Sequence, residues 1–169
     1  MEFIQHTKNW AKGEIIEAII MAIFGALIVL CSFFLWKFGN TPFEKALIIP
    51  LFVVGFIPLF MGISGAISNK NRITEYQKEW EKNKIEFIKT EKKRVESFDQ
   101  IFKYSYPGAF IFLVGGAILF FLIKTPTWKA ISLAMMTLGL MAYFIDHFAA
   151  ERADIYLKHI NKTIEKSNI

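Results

Sequence analysis

Four long runs of this chain carry almost no charge, and that feature limits the possible folds more than any other. They occupy 15–36, where Glu17 is the only charged residue, 46–67, 104–123 and 130–145. A helix that crosses a membrane needs about 20 mainly apolar residues. The first three runs meet that length directly, and the fourth does so with a tilt or by taking in residues up to 148. In lipid every backbone N–H and C=O must be satisfied within the segment, so runs of this length predict α-helices. The expected fold class is therefore an all-α membrane protein with transmembrane helices at 15–36, 46–67, 104–123 and 130–148. A buried soluble helix competes for the fourth run alone, but it would leave the chain ends on opposite sides. The 54% hydrophobic content agrees with a lipid solvent, since ordinary soluble domains sit near 45–50%.

The first run is too long for the apolar core of a cleaved signal, and it lacks a small-x-small ending. Cys31 follows Leu30 rather than a small residue, so it reads as a lone buried thiol and not as a lipid-modified cysteine. One cysteine also excludes an internal disulfide framework.

Basic residues set the expected orientation. Sixteen of the 20 Lys and Arg residues fall in the amino-terminal segment, the central segment from Lys70 to Lys103 and the tail, while only Lys37, Lys45, Lys124 and Lys129 flank the two short loops. The positive-inside rule then places both termini and the central segment in the cytoplasm. The net charge of +5 is thus a topology signal, and no nucleic-acid partner is expected.

The short loops share a pattern, Thr41-Pro42 with Lys45-Ala46 and Thr125-Pro126 with Lys129-Ala130, 84 residues apart. The same interval aligns Glu2-Phe3-Ile4 with Glu86-Phe87-Ile88, Gly55 with Gly139, Phe60 with Phe144, and Lys78, Glu81 and Lys82 with Lys162, Glu165 and Lys166. An ungapped register over the whole chain favours an internal duplication, with units at 1–84 and 85–169. Each unit reads as an amphipathic lead-in, two spans joined by an outer loop, and an amphipathic exit helix. Two crossings per unit keep the copies parallel, related by a pseudo-twofold axis along the membrane normal.

Within the spans, Ala18, Ala22 and Ala26 recur every four residues beside Gly25, and Gly55, Gly62 and Ala66 follow in the second. Gly108, Ala109 and Gly116 mark the third. Small residues in such stripes allow close helix contact. Pro50 and Pro58 each remove a backbone donor and predict a bend in the second span, where the aligned residues of the fourth are Ala134 and Ala142. Between Arg72 and Phe102 the apolar residues Ile73, Tyr76, Trp80, Phe87, Val95, Phe98 and Phe102 recur at helical intervals amid interspersed charges. An amphipathic cytoplasmic layer with a solvated charged face follows, turning at Asn83-Lys84.

Ionisable groups at membrane depth are the best pointers to function in such a chain. Glu14 and Glu17 share a face of the first helix, and Asp146, His147, Glu151 and Asp154 gather at the same end of the fourth. His147, Glu151 and Asp154 follow an i, i+4, i+7 spacing, which puts them on one side of a helix as a candidate cation or proton site. The competing account is that these groups reach water or pair with Lys12, Arg152 or Lys158. His6 and His159 stand isolated in sequence. No metalloprotease, nucleophile-elbow, phosphate-loop or CxxC signature is present, so no enzyme and no cofactor are expected.

Four segments, Trp10-Ala11-Lys12-Gly13-Glu14, Lys45 to Pro50, Glu91 to Glu96 and Glu151 to Tyr156, give the chain a resemblance to a family of small bacterial multi-pass inner-membrane proteins with no assigned activity. The resemblance implies a bacterial inner-membrane setting and no site residues. The function expected is non-enzymatic association, as a homo-oligomer or with another membrane protein. A small cation channel or transporter is the alternative, and an immunity-type membrane protein a third.

Overall fold

The computed structural model describes residues 2–167 as four helices in sequence: α1 (Glu2–Phe38), α2 (Pro42–Lys82), α3 (Lys84–Leu122) and α4 (Pro126–Ser167). Each contains an apolar window long enough to cross a membrane. The turns fall where the local chemistry places them. Thr41 caps α2 through its hydroxyl, which accepts from the Glu44 N–H at 3.2 Å, while the Glu44 carboxylate accepts from the N–H groups of Asn40 and Thr41 at 2.8 Å. These backbone donors lower the Glu44 pKa, and the reciprocal bonds form a capping box. Asn83 ends α2 and starts α3, its side-chain oxygen accepting from the Glu86 N–H at 3.1 Å.

The helices are longer than the membrane needs. At 1.5 Å per residue, the 37 residues of α1 reach about 55 Å, against a hydrocarbon thickness of about 30 Å. The amphipathic segments are therefore not separate helices: they continue the spans without a break, and α2 runs on through Pro50 and Pro58. The four extensions meet at the end that holds the residue-2 terminus, the Asn83 turn and the end of α4. There they bury Phe3, Ile4, Trp10 and Ala11 of α1, Tyr76 of α2, Phe87, Ile88 and Val95 of α3, and Ala153, Tyr156 and Ile160 of α4. Phe3 stacks on Trp80 at 5.6 Å and Trp10 on Tyr156 at 5.2 Å, so rings from all four helices fill this core. Most of the charged residues between them face outward, whereas Glu91 and Arg94 are enclosed.

In the apolar half the helices pair as two hairpins, α1 with α2 and α3 with α4. Glycine sets the approach in both. A Cβ on Gly55 would lie 2.8 Å from the Val29 nitrogen, 2.9 Å from the Gly25 oxygen and 2.9 Å from Ile28 Cβ. A Cβ on Gly139 would lie 2.8 Å from the Leu113 nitrogen, 2.7 Å from the Ala109 oxygen and 3.1 Å from Phe112 Cβ. Each residue of the first set stands 84 positions before its counterpart in the second. Ser32, which donates to the Ile48 carbonyl at 2.7 Å, and Gly116, packed 2.9 Å from the Ser132 carbonyl by the same measure, keep the same interval.

Gly62 packs against Ala18 and Ala22, and Ala26 is half-buried beside Gly25. Two expectations are corrected. Gly108 faces open space, because the buried Ala109 beside it makes the contact with α4. Cys31 is exposed on the outside of the bundle, because Ser32 takes the inward position on that turn. Trp36, Phe38, Tyr104 and Trp128, at the ends of the apolar runs, are exposed as well, the arrangement that suits rings at a membrane–water boundary.

Candidate functional site

Where the apolar half meets the aromatic bundle, α4 turns Arg152 toward α1. Its guanidinium donates to Glu14 at 2.9 Å and to Glu17. Glu14 and Glu17, three residues apart on one helix, present both carboxylates to the same side. The two carboxylates and one guanidinium leave a surplus negative charge. Glu17 Oε1 and Arg152 Nε are both buried without a hydrogen-bond partner. An almost wholly apolar crevice of about 490 Å³ lies between α1 and α4, lined by Ile16, Ile20, Met21, Phe24, Phe144 and Phe148 among others, with Glu17 and Arg152 at its edge.

The six ionisable residues picked out in sequence do not form one site. Glu14 and Glu17 join through Arg152, whereas Asp154 lies outside, bonded to Lys158 at 2.5 Å. His147 is exposed and lies parallel to Tyr143, with ring centres 6.4 Å apart. Glu151 is exposed on its own turn, and Asp146 is half-buried toward Tyr106 of α3. A shared spacing on α4 therefore does not become a coordination shell, because among the described residues no second helix brings further ligands to that face. Among the described residues no group of three or more His, Cys, Asp or Glu side chains is placed to hold a metal ion.

A second polar constellation, not singled out in sequence, lies inside the aromatic bundle. Glu91 of α3 is 3% exposed and is held by both guanidinium nitrogens that Arg94 offers it, one at 3.0 Å. The Tyr156 hydroxyl lies 3.1 Å from the same carboxylate and 2.7 Å from the Thr7 hydroxyl, which donates to the Phe3 carbonyl. Arg94 also covers the Trp10 ring at 4.5 Å and Tyr76 at 5.5 Å, a cation–π arrangement. Burial would depress the Arg94 pKa, but the Glu91 bond and charge outweigh it and the net direction is upward. Burial and the Glu91 charge push the phenols of Tyr76 and Tyr156 up; the Tyr156 hydroxyl bonds to Thr7 and Glu91, whereas the Tyr76 hydroxyl is buried without a hydrogen-bond partner. These residues come from α1, α2, α3 and α4, and no linear spacing announces them. The sole hint is that Glu91 and Arg94 fall on the apolar face of an otherwise regular amphipathic pattern.

His6 and His159, isolated in sequence, stack at 4.4 Å across α1 and α4. Comparison with known proteins adds no parallel for any of these arrangements: no family model, curated protein or solved structure matches the chain.

Proposed function

We propose that the chain is a non-enzymatic bacterial inner-membrane protein, with both termini in the cytoplasm, that acts by self-association within the membrane. The pairing of Arg152 with Glu14 and Glu17 carries this reading. The carboxylates best placed to receive a cation at the membrane border share one guanidinium, so a permeating ion would have to compete with it. That favours association over transport. The aromatic bundle closes its apolar core within one chain, so partners meet either its charged exterior or the apolar faces of the spans. The 84-residue correspondence of the hairpin contacts supports a duplicated two-helix unit as the ancestral form.

Photobleaching of singly labelled chains, diluted into supported bilayers, tests the reading. Two or more bleaching steps per spot are expected. Single steps at every density, together with saturable cation flux into proteoliposomes that Glu17→Gln abolishes, would contradict it.

A further inference from the structure

Two histidines from opposite ends of the chain meet on the flank of the aromatic bundle. Phe3, Thr7 and Trp10 form part of the buried face of α1, as Ala153, Tyr156 and Ile160 do for α4, so His6 and His159 are left on the shoulders where the two helices touch. The contact beneath them is fixed, because Trp10 stacks on Tyr156 at 5.2 Å and the Tyr156 hydroxyl lies 2.7 Å from the Thr7 hydroxyl. The two imidazoles lie face to face, with ring centres 4.4 Å apart and planes 21° from parallel. His6 is half-buried and His159 exposed, and among the described residues neither ring has a hydrogen-bond partner. Both line a groove of about 180 Å³ with Asn9 and Arg152.

Imidazole is the commonest metal-ligating side chain, and two imidazoles on a fixed base form a chelate. Zinc holds imidazole nitrogens at about 2.0–2.1 Å in tetrahedral geometry, which sets two such nitrogens about 3.3 Å apart. Rings already 4.4 Å apart reach that separation by turning about their side-chain bonds, and the exposed His159 has room to turn. Arg152, which shares the groove, is paired with Glu14 and Glu17, so its charge is offset. Glu2, one turn before His6 on α1, adds negative charge on the same side of the helix.

We propose that His6 and His159 form a two-imidazole site for one divalent transition-metal ion of the zinc class, with water in the remaining positions. The ion ties the beginning of α1 to the later turns of α4 and so closes the bundle. With no third His, Cys, Asp or Glu placed to join them among the described residues, the ion is held reversibly, unlike a four-ligand structural zinc. Magnesium, which prefers oxygen ligands, does not substitute.

Thermal unfolding of the full chain in detergent, purified without a histidine tag, tests the proposal with zinc, with magnesium and with a chelator. Zinc at a hundredfold excess over its dissociation constant should raise the midpoint by about 5–10 °C, and magnesium should not move it. Calorimetric titration should count one zinc per chain. His6→Ala and His159→Ala should each remove the zinc shift, whereas His147→Ala should keep it. Circular dichroism and the midpoint in chelator confirm that each variant is folded. A zinc shift that survives either of the first two substitutions or is lost in His147→Ala, one ion shared between two chains, an equal response to magnesium, or no response to zinc would overturn it.

Discussion

Removing one partner from a buried ion pair leaves the other charged in a poor solvent, at a cost of about 3–5 kcal/mol. Glu91 and Arg94 are such a pair, with Glu91 almost fully enclosed. Glu91→Ala strands the guanidinium against Trp10 and also deprives Tyr156 of a carboxylate partner. The expected loss is about 3 kcal/mol or more, read by detergent-titrated unfolding followed through tryptophan fluorescence. The double substitution Glu91→Leu/Arg94→Leu should lose clearly less than Glu91→Ala, because it removes both charges and keeps the packed volume. A double variant as unstable as the single would mean that the pair organises the bundle beyond its own charge balance. The spacing of Glu14 and Glu17 was legible in the sequence, and so was Arg152 as a possible partner. Their meeting across 138 residues was not, since it depends on how α1 and α4 approach.

At the scale of the helix, the hairpins depend on a few positions where backbone meets backbone. At Gly55 any side chain collides with the main chain of α1 rather than with a movable side-chain end. Gly55→Ala should therefore cost about 1–3 kcal/mol through overpacking. Gly108→Ala, which meets nothing within 4 Å, should change stability by no more than about 0.5 kcal/mol. Thermal unfolding of the two variants in the same detergent checks the contrast, and equal losses would contradict the assigned packing faces. Small-residue stripes in sequence located the hairpin contact well in α1 and α2, but in α3 they pointed to Gly108 as well as to its packed neighbours. The stripe rule gives which residues are small and not which way the helix is turned. The turns were legible for a clearer reason: Thr41-Pro42 and Asn83 satisfy exposed helix-start donors with their own side chains. The unbroken passage from span to extension was not legible, because the polar run at Ser68, Asn69 and Asn71 has low helix propensity that packing of the neighbouring turns overrides.

The whole molecule divides by solvent rather than by domain. One end is a four-helix bundle with an aromatic core and a charged exterior, and the other exposes Ile, Leu and Phe on nearly every outward turn. In water that second surface would drive aggregation; in lipid it is the ordinary outer face of a bundle. The same division puts the residue-2 terminus, the Asn83 turn and the end of α4 together, and the 39–41 and 123–125 turns at the far end. Four spans are the simplest path that satisfies both facts, and the proposed cytoplasmic placement of the bundle rests on the distribution of Lys and Arg. Single cysteines placed at Asn40, Asn83, Lys124 and Lys166 in a Cys31→Ser background test this most directly, probed on intact cells with a membrane-impermeant maleimide. The account predicts labelling of positions 40 and 124 from outside and of 83 and 166 only after permeabilisation. Labelling of Asn40 and Asn83 from the same side of the membrane would contradict it.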